Sequence, residues 1–183
     1  MPPVSSRLPA TNRSILPVGH TFVKGVDLFD GHLVVREVDF SLPGRHLGLE
    51  MSRTYSSSGL GSEGILGAGW NWVYGLSLHE SICEETQIAT VTLTTRDISQ
   101  VFHSNSDGSY TPQKGYHGRL VRNGDGYDYF DKANVQHHFT LAGRIEYLRE
   151  PHGDRLVMSY DEPNRLVRVT EQQNGQPVRE LRL

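Results

Sequence analysis

The sequence lacks the features of disulfide-rich and membrane-spanning proteins. Only one of its 183 residues is cysteine, Cys83, so no intrachain disulfide and no cysteine-based metal cluster can form. No apolar run approaches the roughly 18 residues that a membrane-spanning helix requires. The N-terminal residues have no continuous apolar stretch, which a classical signal peptide would need. We therefore expect no membrane span and no signal peptide.

Basic charge, helical periodicity and metal-ligand spacing are also missing. The formal net charge is −3, with Lys and Arg dispersed among Asp and Glu, so we predict no nucleic-acid partner. No segment of ten or more residues repeats its apolar positions every 3.6 residues, which predicts almost no helix. The nine histidines are scattered, and the adjacent His137 and His138 would point to opposite faces of a strand. We expect no catalytic residue, no cofactor and no metal, and thus no enzyme.

A glycine motif at Gly59–Gly64 matches the spacing of a dinucleotide-binding loop. Such a loop must open a helix whose N–H groups meet the phosphates. Here a glycine-broken and then aromatic-alternating segment follows, so the motif is interpreted as a plain loop.

Short strands are what the sequence does contain. Nineteen glycines and nine prolines, spread along the chain, favour many strands joined by turns. Residues 32–40 alternate and would place Val38 and Phe40 on one face. Pro43-Gly44 then predicts a turn, and residues 46–55 alternate again, so we predict a hairpin. Further strands are predicted at residues 88–95, 97–103, 116–123, 126–131, 134–141 and 177–183.

An aromatic stripe lies between these strands. Residues 70–78 alternate without a break and would place Trp70, Trp72 and Tyr74 on one face of a strand. Aromatic side chains in strands usually pack against a neighbouring strand or sheet. An exposed stripe could instead stack on sugar rings. A carbohydrate-binding or adhesion module, with a glycan as partner, therefore remains the alternative function.

A degenerate repeat occupies the C-terminal third. Gly143-Arg144-Ile145 returns 21 residues later as Asn164-Arg165-Leu166, with Gly153 and the pair Tyr160-Asp161 between them. Gly and Asn tolerate positive φ at turns, and an Asp side chain can accept hydrogen bonds from nearby backbone N–H groups. Each 21-residue unit therefore predicts two strands with their turns. Phe130-Asp131, with Asn134, looks like a weaker upstream copy.

These residues resemble the Rhs/YD-repeat family, whose unit reads approximately Gly-Arg-Leu, Gly-Asn and then Tyr-Asp. Two positions differ: Asp154 stands where Asn is usual, and Asn164 where Gly is usual. Upstream, residues 38–44 (VDFSLPG), 52–57 (SRTYSS) and 67–72 (GAGWNW) are similar in order and spacing to the segment that precedes the repeats in bacterial Rhs proteins.

The resemblance covers roughly residues 20–172 and implies a fold. Rhs/YD proteins, with relatives in the C components of insecticidal toxin complexes and in teneurins, wind a long antiparallel sheet into a hollow shell. We expect an all-β chain built from consecutive hairpins. Its parts would be a flexible Pro/Ser-rich leader at 1–19, an N-terminal Rhs-associated β domain at 20–115 and the start of the YD-repeat sheet at 116–183.

The resemblance also implies a structural function. In bacterial members the shell encloses a variable C-terminal toxin domain, which a type VI or other secretion apparatus often exports. The expected partners are the rest of the shell, its toxin cargo and a secretion-apparatus protein. The protein would be secreted by a non-classical route, or cytoplasmic before export. None of its residues matches the core region that performs autoproteolysis in some members. We also expect the chain to be an N-terminal piece of a longer protein or a truncated gene product.

Overall fold

A computed structural model describes residues 22–28, 30–44, 47–57, 63–64, 66–82, 88–95, 99–162 and 164–183. Within these residues the protein is all β, with antiparallel strands and no α-helix, as the alternating pattern predicts. The strands are β1 (Phe22–Val23), β2 (Val26–Asp27), β3 (Val34–Leu42), β4 (Leu49–Ser56), β5 (Glu63–Gly64), β6 (Gly67–Ala68), β7 (Trp70–Trp72), β8 (Ser77–Ile82), β9 (Ala89–Thr94), β10 (Ser99–Ser104), β11 (Tyr110–Pro112), β12 (Arg119–Arg122), β13 (Gly126–Phe130), β14 (Gln136–Thr140), β15 (Ile145–Arg149), β16 (Arg155–Tyr160), β17 (Leu166–Gln173) and β18 (Gln176–Arg182).

Three sheets hold most of these strands. The N-terminal sheet has the order β3-β4-β7, and the middle sheet has the order β11-β10-β9-β8. The repeat sheet has seven strands, β12 to β18, in which every strand pairs with its sequence neighbour. Two short ribbons, β1-β2 and β5-β6, complete the described part. The predicted series of consecutive hairpins is thus confirmed.

The predicted hairpin around Pro43-Gly44 is formed by β3 and β4, but one face assignment was wrong. A register shift lies between Val38 and Phe40, so that Val38 pairs with Ser52 while Phe40 pairs with Met51. Residues paired across an antiparallel ladder share a face, and neighbours along a strand do not. Val38 and Phe40 therefore lie on opposite faces, because a bulge adds one residue to β3.

The alternating run at residues 70–78 is not one strand, contrary to prediction. It contains β7 in the N-terminal sheet and the start of β8 in the middle sheet. Between them the Gly75 N–H donates to the Trp72 carbonyl at 2.9 Å, which closes a turn. The Asn71 side chain accepts a hydrogen bond from the Trp72 N–H at 2.8 Å and donates to the Thr95 carbonyl at 3.0 Å. These bonds hold the turn through which the chain passes from the N-terminal sheet to the middle sheet.

Side chains from all three sheets form one hydrophobic core. Burying them together removes apolar surface from water, at about 25 cal/mol per Å². The buried members are Leu49, Trp72, Tyr74, Leu78, Val91, Leu93, Phe102, Leu120, Tyr127, Tyr129, Phe139, Ile145, Leu156, Met158, Leu166 and Val169.

Polar contacts join the middle sheet to the repeat sheet beside this core. Tyr127 donates a hydrogen bond from its hydroxyl to Glu80 at 2.9 Å. Burial, that hydrogen bond and the charge of Glu80 all raise the pKa of Tyr127. The ring of Tyr129 packs edge-on against Phe102, with 6.0 Å between centroids. The two sheets are therefore fixed by specific pairs as well as by apolar burial.

Candidate functional site

Four consecutive loops of the repeat sheet have the same geometry. In each, a loop of three residues is enclosed by two backbone hydrogen bonds, both made by the residue that precedes the loop. Its N–H donates to the carbonyl of the residue after the loop, and its carbonyl accepts from the last loop residue. The last loop residue has positive φ in every case: Asn134 (61°), Gly143 (80°), Gly153 (99°) and Asn164 (85°). This is a tight turn closed by a residue in the left-handed region, a conformation that Gly and Asn adopt most easily.

A side-chain oxygen of the preceding residue caps three of these loops, and in two of them that residue is Asp. Asp161 accepts a hydrogen bond from the Arg165 N–H at 2.8 Å, and Asp131 accepts one from the Val135 N–H at 2.9 Å. Thr140 does the same for the Arg144 N–H at 3.2 Å through its hydroxyl. The weaker copy at Phe130-Asp131 therefore has the geometry of the Tyr-Asp unit. The Tyr-Asp motif therefore marks a loop that is preceded by a residue whose side chain accepts a hydrogen bond.

The Tyr of the repeat reaches across to the start of the neighbouring strand, β15. The Tyr160 hydroxyl donates to the Ile145 carbonyl at 2.8 Å, and the Arg144 guanidinium lies 4.5 Å from the Tyr160 ring centroid. Arg144 also donates to the Asn164 side-chain oxygen. Burial raises the pKa of Tyr160 to about 12. Arg144 and Tyr160 of one unit and Asn164, the first residue of the next, thus form one cluster.

The second copy of the arginine has a different partner. Arg165 donates to Asp161 from two guanidinium nitrogens, at 2.7 and 3.1 Å. Hydrogen bonds from the Arg165 side chain and backbone lower the pKa of Asp161. Both residues lie at the surface, whereas the adjacent Leu166 is buried in the core. The step Asn-Arg-Leu therefore combines a turn residue, a surface ion pair and a core anchor.

One loop of the series also contacts the middle sheet. The Leu78 N–H donates to the Gly143 carbonyl at 2.9 Å, and Ser77 forms an isolated antiparallel bridge with Arg144. A Cβ at Gly143 would lie 1.6 Å from the Leu78 carbonyl oxygen, whereas a Cβ at Gly153 would meet nothing within 4 Å. Gly143 is therefore required both for its φ and for this close approach.

The aromatic residues considered as a ligand platform are not displayed together. Trp72 and Tyr74 are buried, with rings edge-to-face at 5.7 Å, and the Tyr74 hydroxyl accepts a hydrogen bond from the Glu50 N–H at 3.1 Å. Trp70 is half-buried, and the Arg53 guanidinium lies 5.6 Å from the Trp70 ring centroid. Sugar-binding platforms need exposed, roughly coplanar rings. The geometry does not favour the glycan alternative.

The adjacent histidines each have a carboxylate partner. His138 lies 2.7 Å from Asp128 and stacks on Tyr147 with 4.7 Å between centroids. His137 lies 3.4 Å from Asp131, the residue that caps the first loop. Burial favours the neutral acid of Asp131, but hydrogen bonds from His137 and from backbone N–H groups outweigh it and lower its pKa.

Sequence reasoning missed one cluster of potential metal ligands. Asp27, Asp30 and His32 place one donor atom each within 4.8 Å of one another. The His32 Nδ1 lies 2.5 Å from Asp30 and 3.5 Å from Asp27, whose side chain is fully buried. The signal in the sequence was an Asp-Gly-His turn three residues after another Asp. The contacts describe an imidazole held between two carboxylates.

These features define the class of protein: an all-β chain of consecutive antiparallel hairpins with a repeated, capped loop. Residues 24–102 match the family model described as Domain of unknown function (DUF6531), which covers the N-terminal sheet and part of the middle sheet. In the described residues no helix has both the length and the apolar character needed to cross a membrane.

Curated relatives are more distant. The chain is 26% identical over 137 residues to the tRNA nuclease WapA of Bacillus subtilis (strain 168). The same identity and length hold for the tRNA3(Ser)-specific nuclease WapA of Bacillus spizizenii and for the tRNA(Glu)-specific nuclease WapA of Bacillus subtilis subsp. natto. Each match covers 74% of this chain and only 6% of the relative. In coarse terms, the comparisons support the resemblance to Rhs/YD-repeat proteins and a relation to toxin proteins.

Proposed function

We propose that this chain is a structural wall segment of an Rhs/YD-repeat shell, which encloses a C-terminal toxin domain and helps to deliver it. The observation that carries the proposal is the series of four consecutive loops with the same backbone geometry in one sheet. In a sheet of this kind each new hairpin pairs with the previous one, so the same unit can be added many times. The last strand, β18, has no neighbour on its outer side among the described residues.

An open strand edge supports the idea of continuation. Unpaired N–H and C=O groups on an edge attract a further strand, and proteins normally cover or shorten such edges. β18 runs over the seven residues Gln176–Arg182, with Val178 exposed. The partner proposed for this edge is the next hairpin of the shell. The toxin cargo and a secretion-apparatus protein, of type VI or another system, are the other proposed partners.

The proposed role is not catalytic. The residues that define the repeat make turns, core contacts and surface ion pairs, which are structural tasks. The distant relatives are named as tRNA nucleases, but the matched segment is 6% of their length. We propose that any nuclease or other toxic activity belongs to a separate domain, and that the protein is exported by a non-classical route.

Protease protection tests this proposal. The polypeptide encoded by the natural gene would be treated with a non-specific protease, beside the region downstream of Leu183 expressed alone. A terminal affinity tag, cleaved at the same rate in both samples, serves as the control for protease activity. Enclosure predicts that the downstream domain survives in the whole polypeptide and is degraded alone. Equal degradation, or a gene that ends at Leu183 and gives a stable monomer, would contradict the proposal.

A further inference from the structure

A buried carboxylate lies at the end of the repeat sheet. Glu171 on β17 has a side chain only 3% exposed, on a strand that also buries Leu166 and Val169. A buried charge is costly unless it is paired and hydrogen-bonded. Its direct cross-strand neighbour is Arg179 on β18, and Gln173 donates to its other oxygen at 3.0 Å. Both carboxylate oxygens of Glu171 are therefore satisfied.

The arginine also reaches the N-terminal sheet. Arg179 donates to one Glu171 oxygen from Nε at 2.7 Å and from Nη2. Its remaining nitrogen, Nη1, donates to the Pro43 carbonyl at 2.9 Å, across 136 residues of sequence. A planar guanidinium can make these bonds at once because its donors are fixed in one fork, which a lysine ammonium cannot reproduce. Glu171 thus orients Arg179 towards Pro43.

The turn that receives this bond is shaped for close approach. A Cβ at Gly44 would lie 1.7 Å from the Leu47 carbonyl oxygen and 3.2 Å from the Arg179 Nη2. Beside it, Leu47 and Leu49 of the N-terminal hairpin share the hydrophobic core with Leu181 of β18. The apolar contacts hold the hairpin near the sheet but have no directional preference. The Arg179 bond supplies a fixed point at the hairpin tip.

We infer that Arg179 is a positioning residue that latches the Leu42-Pro43-Gly44 turn onto the β17–β18 hairpin, with Glu171 holding the latch in place. The Leu-Pro-Gly motif is then an intramolecular docking element, which fixes the position of the N-terminal sheet relative to β18, the seventh strand of the repeat sheet. This inference concerns contacts within the chain and does not depend on the shell.

Hydrogen exchange of backbone amides, measured by mass spectrometry, tests the latch. Arg179→Ala and Arg179→Lys are compared with wild type and with Arg182→Ala. Arg182 is the matched control because it lies on the same strand, is 74% exposed and bonds only along β18, to Glu180, in the contacts described. Loss of a charge-assisted bond predicts exchange about tenfold faster in residues 38–44 and 47–51 of both Arg179 variants. Exchange in β13–β15 and in Arg182→Ala stays at the wild-type rate.

Two results would overturn the latch. The first is an exchange pattern in Arg179→Ala that matches Arg182→Ala. The second is acceleration spread evenly over β13–β15, which would make Arg179 a general stability residue. If Arg179→Ala does not fold, Arg179→Lys decides the matter because it keeps a positive charge beside Glu171. Wild-type protection of residues 38–44 in that variant would refute the need for the guanidinium fork.

Discussion

Gly143 offers the sharpest single perturbation of the fold. In Gly143→Ala the residue keeps a φ of 80°, which costs an alanine about 1–2 kcal/mol. Its Cβ would also lie 1.6 Å from the Leu78 carbonyl oxygen, so the loop must move and lose the Leu78–Gly143 hydrogen bond. Loss of that bond costs about 1 kcal/mol more. We expect the free energy of unfolding to fall by about 2–3 kcal/mol, measured by urea titration with tryptophan fluorescence.

Gly153 is the matched control for this experiment. It occupies the same loop position with a φ of 99°, but a Cβ there would meet nothing within 4 Å. Gly153→Ala should therefore cost only the backbone term of about 1–2 kcal/mol. Gly153→Asn should cost less still, because Asn134 and Asn164 already fill this position. Equal losses in Gly143→Ala and Gly153→Ala would refute the claim that Gly143 joins two sheets.

Three further predictions follow from the site. Tyr160→Phe removes the donor to the Ile145 carbonyl and should lower the free energy of unfolding by about 1 kcal/mol. The same variant should lose the tyrosine ionisation near pH 12 in an ultraviolet titration. An unchanged titration would assign that pKa to another tyrosine. Asp131 and Asp161 have lowered pKa values, so their contribution to stability is present above the ordinary value of 3.8 and is lost as the pH falls through the lower folded-state values. In the double variant Asp131→Asn, Asp161→Asn, the free energy of unfolding should therefore change less with pH in the acid range than it does in wild type. Identical curves for the two proteins would contradict this. Trp72→Ala should cost about 3–5 kcal/mol because the ring is buried, and a loss below 1 kcal/mol or so would place that ring at the surface.

The sequence predicts the loops of the repeat sheet well, because their chemistry is local. Gly or Asn at the left-handed position is shared by all four turns, and Asp before the loop adds a local hydrogen bond in two of them. The loop of the weaker copy, with Asp131 and Asn134, has the same geometry as the loop with Asp161 and Asn164. The type and approximate bounds of the repeat-sheet strands follow from these turns, which mark where each strand ends and the next begins.

Long-range pairing explains what the sequence could not predict. The bulge beside Phe40 depends on how β3 and β4 match across the ladder, and alternation along one strand does not contain that information. The break after Trp72 depends on which sheet each half of the run joins. The cluster of Arg144, Tyr160 and Asn164 unites two units of the repeat, which the spacing of letters alone does not reveal. The contact between Arg179 and Pro43 joins opposite ends of the chain.

The division of the chain at residues 19/20 and 115/116 stays a prediction. The same holds for the absence of catalytic function and for the secretion partner.

Electron cryo-microscopy of the polypeptide encoded by the natural gene tests the central claim most directly. We predict that a further strand pairs with the outer side of β18, and that the sheet continues into a hollow shell with density for an enclosed domain. A β18 edge that faces solvent, in a particle with no enclosed cavity, would contradict it.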